Sequence, residues 1–316
     1  MSSQSDKNVI KNLEVWGDEY YKKYLQQYKD LDLDKDEKWL EALKFFFSHS
    51  FMRGRPDKLS NEYCSFTIKT LEDHIFNKNS NDPYEELKTQ RKHLEKKDIQ
   101  ELKNILKLKK ELGKKNIEKG NKNLEESKKK IKENPIIEFL TTPKEIKVNE
   151  TCTKEISLKN EVDIIMVLDV LKFISDDDNK KNIYQYLKKT IIGNAASKES
   201  GIKTAYDKLK KIEYIGDKLA AFIIRDIILL INPDIEIKYD DYKLIFPVDT
   251  WVTKIAHKLD CCSSSKDAIK HFFIEKCIKD TSTDSSKVVK VAKVAAGLWF
   301  FGYNSLDILI ENCLKK

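Results

Sequence analysis

The chain has 316 residues, of which 40% are hydrophobic, enough for two compact domains or for one large helical body with an insertion. It has no run of about 18 apolar residues and no apolar stretch typical of a secretory signal at its start. This excludes an ordinary membrane span, and we expect an intracellular protein, cytoplasmic in a prokaryote or nuclear in a eukaryote. The net charge of +7 favours a polyanionic partner only modestly. Residues 84–134 hold 17 Lys/Arg against 10 Asp/Glu, so this segment accounts for the whole excess and the rest of the chain is near neutral.

The first part of the chain, residues 10–80, has apolar and aromatic residues at helical spacing. A helix rich in aromatic residues runs into a polar loop at 48–60. Ser60 at the end of this loop is expected to cap a further helix over residues 61–76.

The segment 84–134 is strongly charged and in places carries one apolar residue per heptad, whereas a coiled coil needs two. We interpret it as a Lys/Glu-rich helical hairpin inserted into the domain and solvated, with Gly113 and Gly120 marking the points where two long helices can fold back. A nucleic-acid-binding arm and a disordered segment are the alternatives.

Residues 136–160 are rich in β-branched residues with some alternation, which favours a short two-stranded ribbon. From 161 to 316 the pattern is helical throughout, with helices expected near 161–175, 181–193, 201–211, 217–231, 250–259, 265–279 and 285–313. The sequence therefore predicts a mainly α protein.

The six cysteines and five histidines are scattered along the chain. No two cysteines form a CxxC pair, and neither residue type has the spacing of a zinc site or an iron–sulfur cluster. We therefore expect free thiols in a reducing compartment and no bound metal.

The segment 208–231 places a glycine-containing turn between two helices. The second helix is apolar almost all round and belongs in a core, whereas Lys218 at its N-terminal rim can emerge into a cleft. A helix N-terminus after a glycine turn offers free N–H groups and a positive dipole end, which suit a phosphate. By itself, Lys218 also fits a solvated lysine at a helix start.

Downstream, FPVDTWVTKIAHKLD at 246–260 places Asp249 directly before a helix with one apolar face. On this fragment alone Asp249 is an N-cap. Together with the hairpin at 208–231, it becomes a candidate partner for Lys218.

The two segments together resemble the helix-hairpin-helix base-excision DNA glycosylase superfamily, which includes endonuclease III and the 8-oxoguanine glycosylases. The family hairpin reads roughly L-P-G-V-G-x-K-T-A, and this chain matches it at Ile212, Ile215, Gly216, Lys218 and Ala220. The family's V-D-T-H motif is matched by Val248, Asp249 and Thr250, with Trp251 in the histidine position. The resemblance covers residues 211–260 and extends loosely to the C-terminal helix, where the family has aromatic residues beside its base pocket; Trp251, Trp299 and Phe300 are the candidates in this chain.

The hairpin departs from the family pattern at three positions. Tyr214 stands in place of the first hairpin glycine, Glu213 in place of the proline, and Asp217 adds a negative charge. Lys218 and Asp249 are 31 positions apart, a longer connection than in most family members. This connection, and the proline before the Val–Asp dipeptide, resemble the archaeal 8-oxoguanine glycosylase branch.

The resemblance implies a helix-hairpin-helix glycosylase that extrudes a damaged base, such as an oxidised purine, from double-stranded DNA and also acts on abasic sites. Lys218 would form a Schiff base and give AP-lyase activity, and Asp249 would stabilise the oxocarbenium charge. Gly216 and Tyr214 would contact DNA, and Arg225 is a candidate cationic neighbour of Lys218. No cofactor is needed, although the hairpin carbonyls could hold a monovalent cation. We expect a monomer with no membrane partner.

The loop after the early aromatic helix is a second candidate contact with DNA. In the superfamily a comparable helix leads into the loop that fills the gap left by the extruded base. By that resemblance His49, Phe51 and Met52 are candidate wedges, and Arg53 and Arg55 are candidate phosphate contacts. The alternative is a buried aromatic face followed by a solvated loop.

The sequence also allows three other functions. In a monofunctional glycosylase, Asp249 would activate a water molecule. In a non-catalytic helix-hairpin-helix protein, the hairpin would only bind DNA. A helical interaction protein would be built around residues 84–134.

Overall fold

The computed structural model describes residues 3–53, 57–75, 83–94, 96–112, 134–149, 152–193, 200–259, 261, 265–279 and 286–313. Helices dominate these residues, and the strands among them form one two-stranded sheet. The prediction of a mainly α protein is therefore confirmed.

The helices follow one another along the chain as α1 (Ser3–Tyr20), α2 (Gln26–Lys29), α3 (Trp39–Ser50), α4 (Asp57–His74), α5 (Pro83–Thr89), α6 (Lys96–Leu112), α7 (Pro135–Thr141), α8 (Glu161–Ser175), α9 (Ile183–Gly193), α10 (Gly201–Leu209), α11 (Asp217–Ile231), α12 (Tyr239–Leu244), α13 (Thr250–Lys258), α14 (Lys266–Lys279) and α15 (Lys287–Cys313). The strands are β1 (Lys144–Asn149) and β2 (Cys152–Ile156), and a π-helical turn at Tyr21–Leu25 joins α1 to α2.

The chain divides into two compact units, which do not follow the sequence order. The terminal unit comprises Met1–Lys38, Leu187–Lys210 and Gly216–Lys316. The middle unit comprises Trp39–Tyr186 and the short turn Lys211–Ile215.

The terminal unit is organised around the crossing of α1 with α15, the helices from the two ends of the chain. Two glycines allow their backbones to approach closely. A Cβ atom on Gly297 would lie 1.9 Å from the carbonyl oxygen of Leu13, and one on Gly17 would lie 2.4 Å from that of Lys293. Because no side chain fits at these points, the crossing depends on glycine at both positions.

The middle unit contains α3–α8 and the β ribbon, in which β1 and β2 pair antiparallel with Ile146 opposite Lys154. The predicted ribbon at 136–160 is thus present in its later part, but its first residues form α7. Asn134 caps this helix by accepting hydrogen bonds from the backbone N–H groups of Ile136 and Ile137, at 3.0 and 3.3 Å. A proline at the first helical position completes this start signal, which outweighs the β-branched composition.

The charged segment 84–134 is described through α6 and again from Asn134. In its described part it is not a fully solvated hairpin, because several of its apolar residues are buried within the middle unit. These are Tyr84, Leu87, Leu94, Ile99, Leu102 and Ile105. The hydroxyl of Tyr84 also donates to the carbonyl of Ile174, at 2.8 Å. The proposed fold-back points at Gly113 and Gly120 lie outside the described residues.

The seven helices expected after residue 161 correspond to α8–α11 and α13–α15. The six-residue helix α12 was missed because it is too short to show a period. The predicted helix start at Ser60 is wrong: α4 begins at Asp57, and the buried Ser60 hydroxyl donates to the carbonyl of Phe51, at 3.1 Å.

Candidate functional site

Helix α11 carries Lys218 at its N-terminal end and is otherwise the most deeply buried helix of the terminal unit. Its residues from Leu219 to Leu229 are all buried. Lys218 itself is half-buried, and its Nζ lies 5.9 Å from the centroid of the Phe222 ring, one turn further along the helix. The apolar sequence of α11 thus places an amine at the edge of a core.

The start of α11 is left open by its sequence. Its N-cap is Gly216, so no side chain caps the first turn. Gly216 has an extended backbone with φ −87° and ψ −179°, and a Cβ atom placed on it would meet nothing within 4 Å. Neither backbone conformation nor packing requires glycine at this position, and its effect is to leave the first N–H groups of the helix uncovered.

The negative charge of Asp217 is balanced inside the terminal unit. Its carboxylate lies 2.6 Å from the Nζ of Lys210 and accepts a hydrogen bond from the hydroxyl of Tyr206, at 2.9 Å. The hydrogen bond from Lys210, followed by that from Tyr206, lowers the pKa of Asp217. The charge that departs from the family hairpin is therefore paired within the chain.

The turn residues of the hairpin belong to the middle unit and keep a glycine-like backbone. Tyr214, in the place of the family's first glycine, has φ 65°, in the left-handed region that favours glycine. The backbone N–H of Glu213 donates to Asp169, at 2.8 Å, and its carboxylate lies 2.6 Å from the Nζ of Lys103. The turn thus combines a left-handed residue at Tyr214 with two contacts that hold Glu213.

Asp249 is the N-cap of α13, as its position before an amphipathic helix predicted. Its Oδ1 accepts hydrogen bonds from the backbone N–H groups of Trp251, at 2.9 Å, and Val252, at 3.1 Å. Two amide donors to one oxygen hold the carboxylate in a fixed orientation at the positive end of the helix.

Lys218 and Asp249 lie within electrostatic range of each other in the terminal unit. Burial lowers the pKa of Lys218 from its usual value of 10.5; the Asp249 carboxylate acts in the opposite direction, and the Lys266 ammonium lowers it further. A carboxylate and a second cation thus both act on the Lys218 amine, although Lys218 and Asp249 are separated by 31 positions in the sequence.

Arg225 does not act as the cationic neighbour of Lys218, because Lys266 on α14 has that effect instead. Arg225 is fully buried, and its Nε donates to Asp226, at 2.7 Å. The guanidinium carbon lies 4.5 Å from the ring centroid of Tyr20 and 4.4 Å from that of Phe222. The charge of Arg225 is therefore held by a carboxylate and two aromatic rings inside the core.

Phe222 belongs to an aromatic cluster in the terminal unit. Trp299 meets the Phe222 ring edge-on at 5.8 Å and stacks on Tyr303 at 5.0 Å. The half-exposed Trp251 contacts the same Tyr303 at 6.4 Å. Two of the three predicted pocket residues, Trp251 and Trp299, therefore share one cluster. Phe222 and Tyr303 also belong to it, although they were not predicted. Phe222 lies four positions after Lys218 on α11, and Tyr303 four positions after Trp299 on α15, so each lies on the same helical face as a predicted residue.

The third predicted pocket residue, Phe300, reaches this cluster only through Tyr24. It is buried and packs against Trp16, at 6.1 Å, and Tyr24, at 6.3 Å. Tyr24 also meets Trp299 edge-on, at 5.7 Å, so it links the two neighbouring residues of α15.

The predicted wedge loop is only partly as expected. His49 is 3% exposed and donates from Nδ1 to the carbonyl of Phe45, and Phe51 is fully buried, so neither can serve as a wedge in this conformation. The reason is that α3 continues to Ser50, so that His49 lies within the helix and the backbone N–H of Phe51 still donates to the carbonyl of Phe47, at 3.0 Å. Met52 and Arg53 are half-buried, and Arg55 lies outside the described residues.

Three findings bear on partners and relatives. Within the described ranges, no group of three or more His, Cys, Asp or Glu side chains is arranged to hold a metal ion. None of the described helices combines the length and apolar character needed to cross a membrane. No family model, curated protein or solved structure matches the chain.

Proposed function

We propose that this protein is a DNA glycosylase with associated AP-lyase activity, acting on a damaged base in double-stranded DNA. The observation that carries the proposal is the half-buried amine of Lys218, with a lowered pKa, within electrostatic range of the Asp249 carboxylate. A lysine is an effective nucleophile only when its neutral form is accessible at neutral pH, and burial favours that form.

The chemistry needs only this pair. The lone pair of the Lys218 amine forms a bond to C1′ of the extruded nucleotide while the C1′–N bond breaks, and the base leaves with that electron pair and takes up a proton. Loss of the amine proton and opening of the C1′–O4′ bond give the Schiff base. Removal of a C2′ proton then expels the 3′ phosphate and nicks the strand.

Asp249 stabilises the positive charge that develops on the sugar as the base departs. Its carboxylate is oriented before the reaction by two backbone N–H groups, so it does not reorganise in the transition state. The same anchored carboxylate supports a second candidate function, a monofunctional glycosylase in which Asp249 activates water and Lys218 only positions the substrate.

The start of α11 is the proposed phosphate-binding site. Gly216 leaves the first N–H groups of the helix uncovered, and a Cβ there would meet no protein atom within 4 Å. The negative charge of Asp217 is paired with Lys210, at 2.6 Å, so it opposes an approaching phosphate less than a free carboxylate would. This contact positions the DNA backbone without reading its sequence.

The half-exposed rings of Trp251 and Tyr303 are the proposed surroundings of the extruded base, and the buried rings of Trp299 and Phe222 complete their cluster. Aromatic rings stack on any base, so the cluster explains the capture of a base but not the choice of one. An oxidised purine as the preferred substrate rests on the resemblance to the 8-oxoguanine glycosylases.

Borohydride trapping on duplex DNA with one abasic site tests the proposal. Borohydride reduces the Schiff base to a stable amine, so the wild-type protein is expected to form a covalent adduct and Lys218→Gln none. Lys254→Gln is the matched control, because Lys254 lies on the neighbouring helix α13 and packs over Trp251, at 4.7 Å.

The outcomes separate the candidate functions. Loss of the adduct in both variants would mean that the substitutions disturb the fold and not the nucleophile. Base release without an adduct would favour the monofunctional glycosylase. Tight binding of DNA with neither product would leave a non-catalytic DNA-binding protein.

A further inference from the structure

Tyr214 has a backbone conformation that is unfavourable for its residue type. Among the described residues, non-glycine residues with positive φ are Asp32, Tyr214 and Asn232. Asp and Asn tolerate this region because their short polar side chains form local hydrogen bonds, whereas for a bulky ring it costs roughly 1–2 kcal/mol. Glycine would occupy the position without that cost.

The Tyr214 side chain is also more exposed than is usual for an aromatic residue. Its exposed fraction is 38%, which makes it one of the few large hydrophobic side chains on the surface of the described residues. The Arg53 guanidinium carbon lies 5.7 Å from the ring centroid, so the ring carries a cation on its face. An exposed ring beside a cation is a suitable surface for a flat, electron-rich group next to a phosphate.

The backbone on either side of the ring is held in place within the middle unit. The preceding residue, Glu213, is bound through its N–H to Asp169 and through its carboxylate to Lys103. The backbone N–H of the following residue, Ile215, donates to the carbonyl of Ile212, at 3.0 Å. These contacts preorganise the turn and present the ring at its tip.

We propose that the Tyr214 ring is a stacking platform for an unpaired nucleobase of the bound DNA, which stacks on the ring face opposite the Arg53 guanidinium. This inference rests on the proposed function, because it takes DNA as the ligand. A phosphate does not stack on an aromatic ring, whereas stacking of a base on an aromatic side chain contributes about 1–3 kcal/mol to the free energy of binding. Tyr214 precedes Lys218 by only four residues in the sequence, so the base we expect it to contact is the one left without its partner at the lesion or an immediate neighbour.

The simpler explanation is that the ring only supports Arg53. The two explanations predict different results for Tyr214→Gly, which removes the ring and relieves the backbone strain at once. If the ring stacks on a base, thermal stability is retained or rises while affinity for damaged DNA falls. If the ring only packs on Arg53, stability and affinity change little or fall together.

The test uses a duplex with a stable, uncleavable abasic analogue opposite 2-aminopurine, whose fluorescence reports stacking. Wild-type protein and Tyr214→Phe are expected to bind with equal affinity and to quench the fluorescence. Tyr214→Gly is expected to bind about 10-fold more weakly, the equivalent of roughly 1.4 kcal/mol, with no quenching. Tyr214→Asn provides a second ringless variant that tolerates positive φ, in case the glycine variant does not fold.

Equal affinity and equal quenching for wild type and the two ringless variants would overturn the inference, as would failure of the wild-type protein to bind the duplex. The measurement needs no reaction at Lys218. Quenching on this duplex, together with no lyase product on a duplex that carries a natural abasic site, would therefore contradict only the proposed enzyme. Lyase activity on the natural site, with unchanged quenching in Tyr214→Gly, would contradict only the stacking role.

Discussion

Asp249 has two separable roles, because one carboxylate both caps a helix and is proposed to stabilise the reacting sugar. Its Oδ1 accepts hydrogen bonds from the N–H groups of Trp251 and Val252. Asparagine keeps an oxygen acceptor at this position but has no charge, whereas alanine has neither. The pair of substitutions Asp249→Asn and Asp249→Ala therefore distinguishes the structural role from the chemical one.

The expected stability changes follow from the capping geometry. Asp249→Ala loses the cap and should destabilise the fold by about 1 kcal/mol. Asp249→Asn loses the attraction of the carboxylate to the helix dipole, about 0.3–1 kcal/mol, and to Lys218. Alanine loses both of these as well as the cap, so Asp249→Asn should be no less stable than Asp249→Ala. Base release should fall by about 100-fold or more in both variants, because both lack the charge.

Ser200 provides a matched control in the same unit. It is the N-cap of α10, and its hydroxyl oxygen accepts a hydrogen bond from the backbone N–H of Lys203, at 3.1 Å. Ser200→Ala should lose stability like Asp249→Ala but retain base release. The measurements are urea denaturation and single-turnover base release on lesion duplexes. If Asp249→Asn released base within about threefold of the wild-type rate, a change worth well under 1 kcal/mol, the carboxylate would be a helix cap with no catalytic role.

Three further predictions follow from the terminal unit. Gly216→Ala should change stability by no more than about 1 kcal/mol, because the lower entropy of the unfolded chain favours alanine whereas the N-cap position favours glycine. Its φ is allowed and its Cβ meets no atom within 4 Å, so the fold should be kept while DNA binding, measured by anisotropy, is weakened. Unchanged affinity would remove the phosphate site from the start of α11. Asp226→Asn should lower the free energy of unfolding by about 3–5 kcal/mol, because it leaves the buried Arg225 cation without a carboxylate. Adding Arg225→Met in the same chain should restore most of this loss, as measured by chemical denaturation. A double variant no more stable than the single variant would contradict this prediction. Burial holds the pKa of Lys218 below its usual value of 10.5, so the free-energy penalty of burying its charge applies below the folded pKa and is lost as pH rises through that pKa. Lys218→Met should therefore stabilise the protein more at pH 7 than at pH 10, unlike the exposed Lys258→Met. A gain independent of pH would point to packing alone.

The sequence predicts the helical part of the fold well because helical periodicity is a local property. The bounds of α11 match the predicted 217–231, and those of α8 match 161–175. The errors occur where a short-range signal was given too little weight. The Asn134–Pro135 start of α7 is an example, because a cap and a proline at the first position outweigh several β-branched residues that follow.

The candidate site could be predicted only as far as its motif extends. Lys218 and Asp249 are recognisable because each stands at a helix start in a known pattern. Lys266 and Tyr303 are not, because their positions depend on how α14 and α15 pack in the terminal unit. His49 shows the opposite error: its place in a loop was inferred by analogy, but α3 is long enough to bury it.

The three departures of the hairpin from the family pattern differ in whether contacts within the chain offset their energetic cost. The charge of Glu213 is paired with Lys103, and that of Asp217 with Lys210, so neither leaves an unpaired carboxylate at the turn. The strain at Tyr214 has no such balance, because a glycine would make the same backbone turn at lower cost. A strained backbone that carries an exposed ring is explained by what the ring contacts outside the chain. The substitution that at first weakens the resemblance to a phosphate-binding hairpin is therefore the one that argues most directly for a nucleobase at its tip.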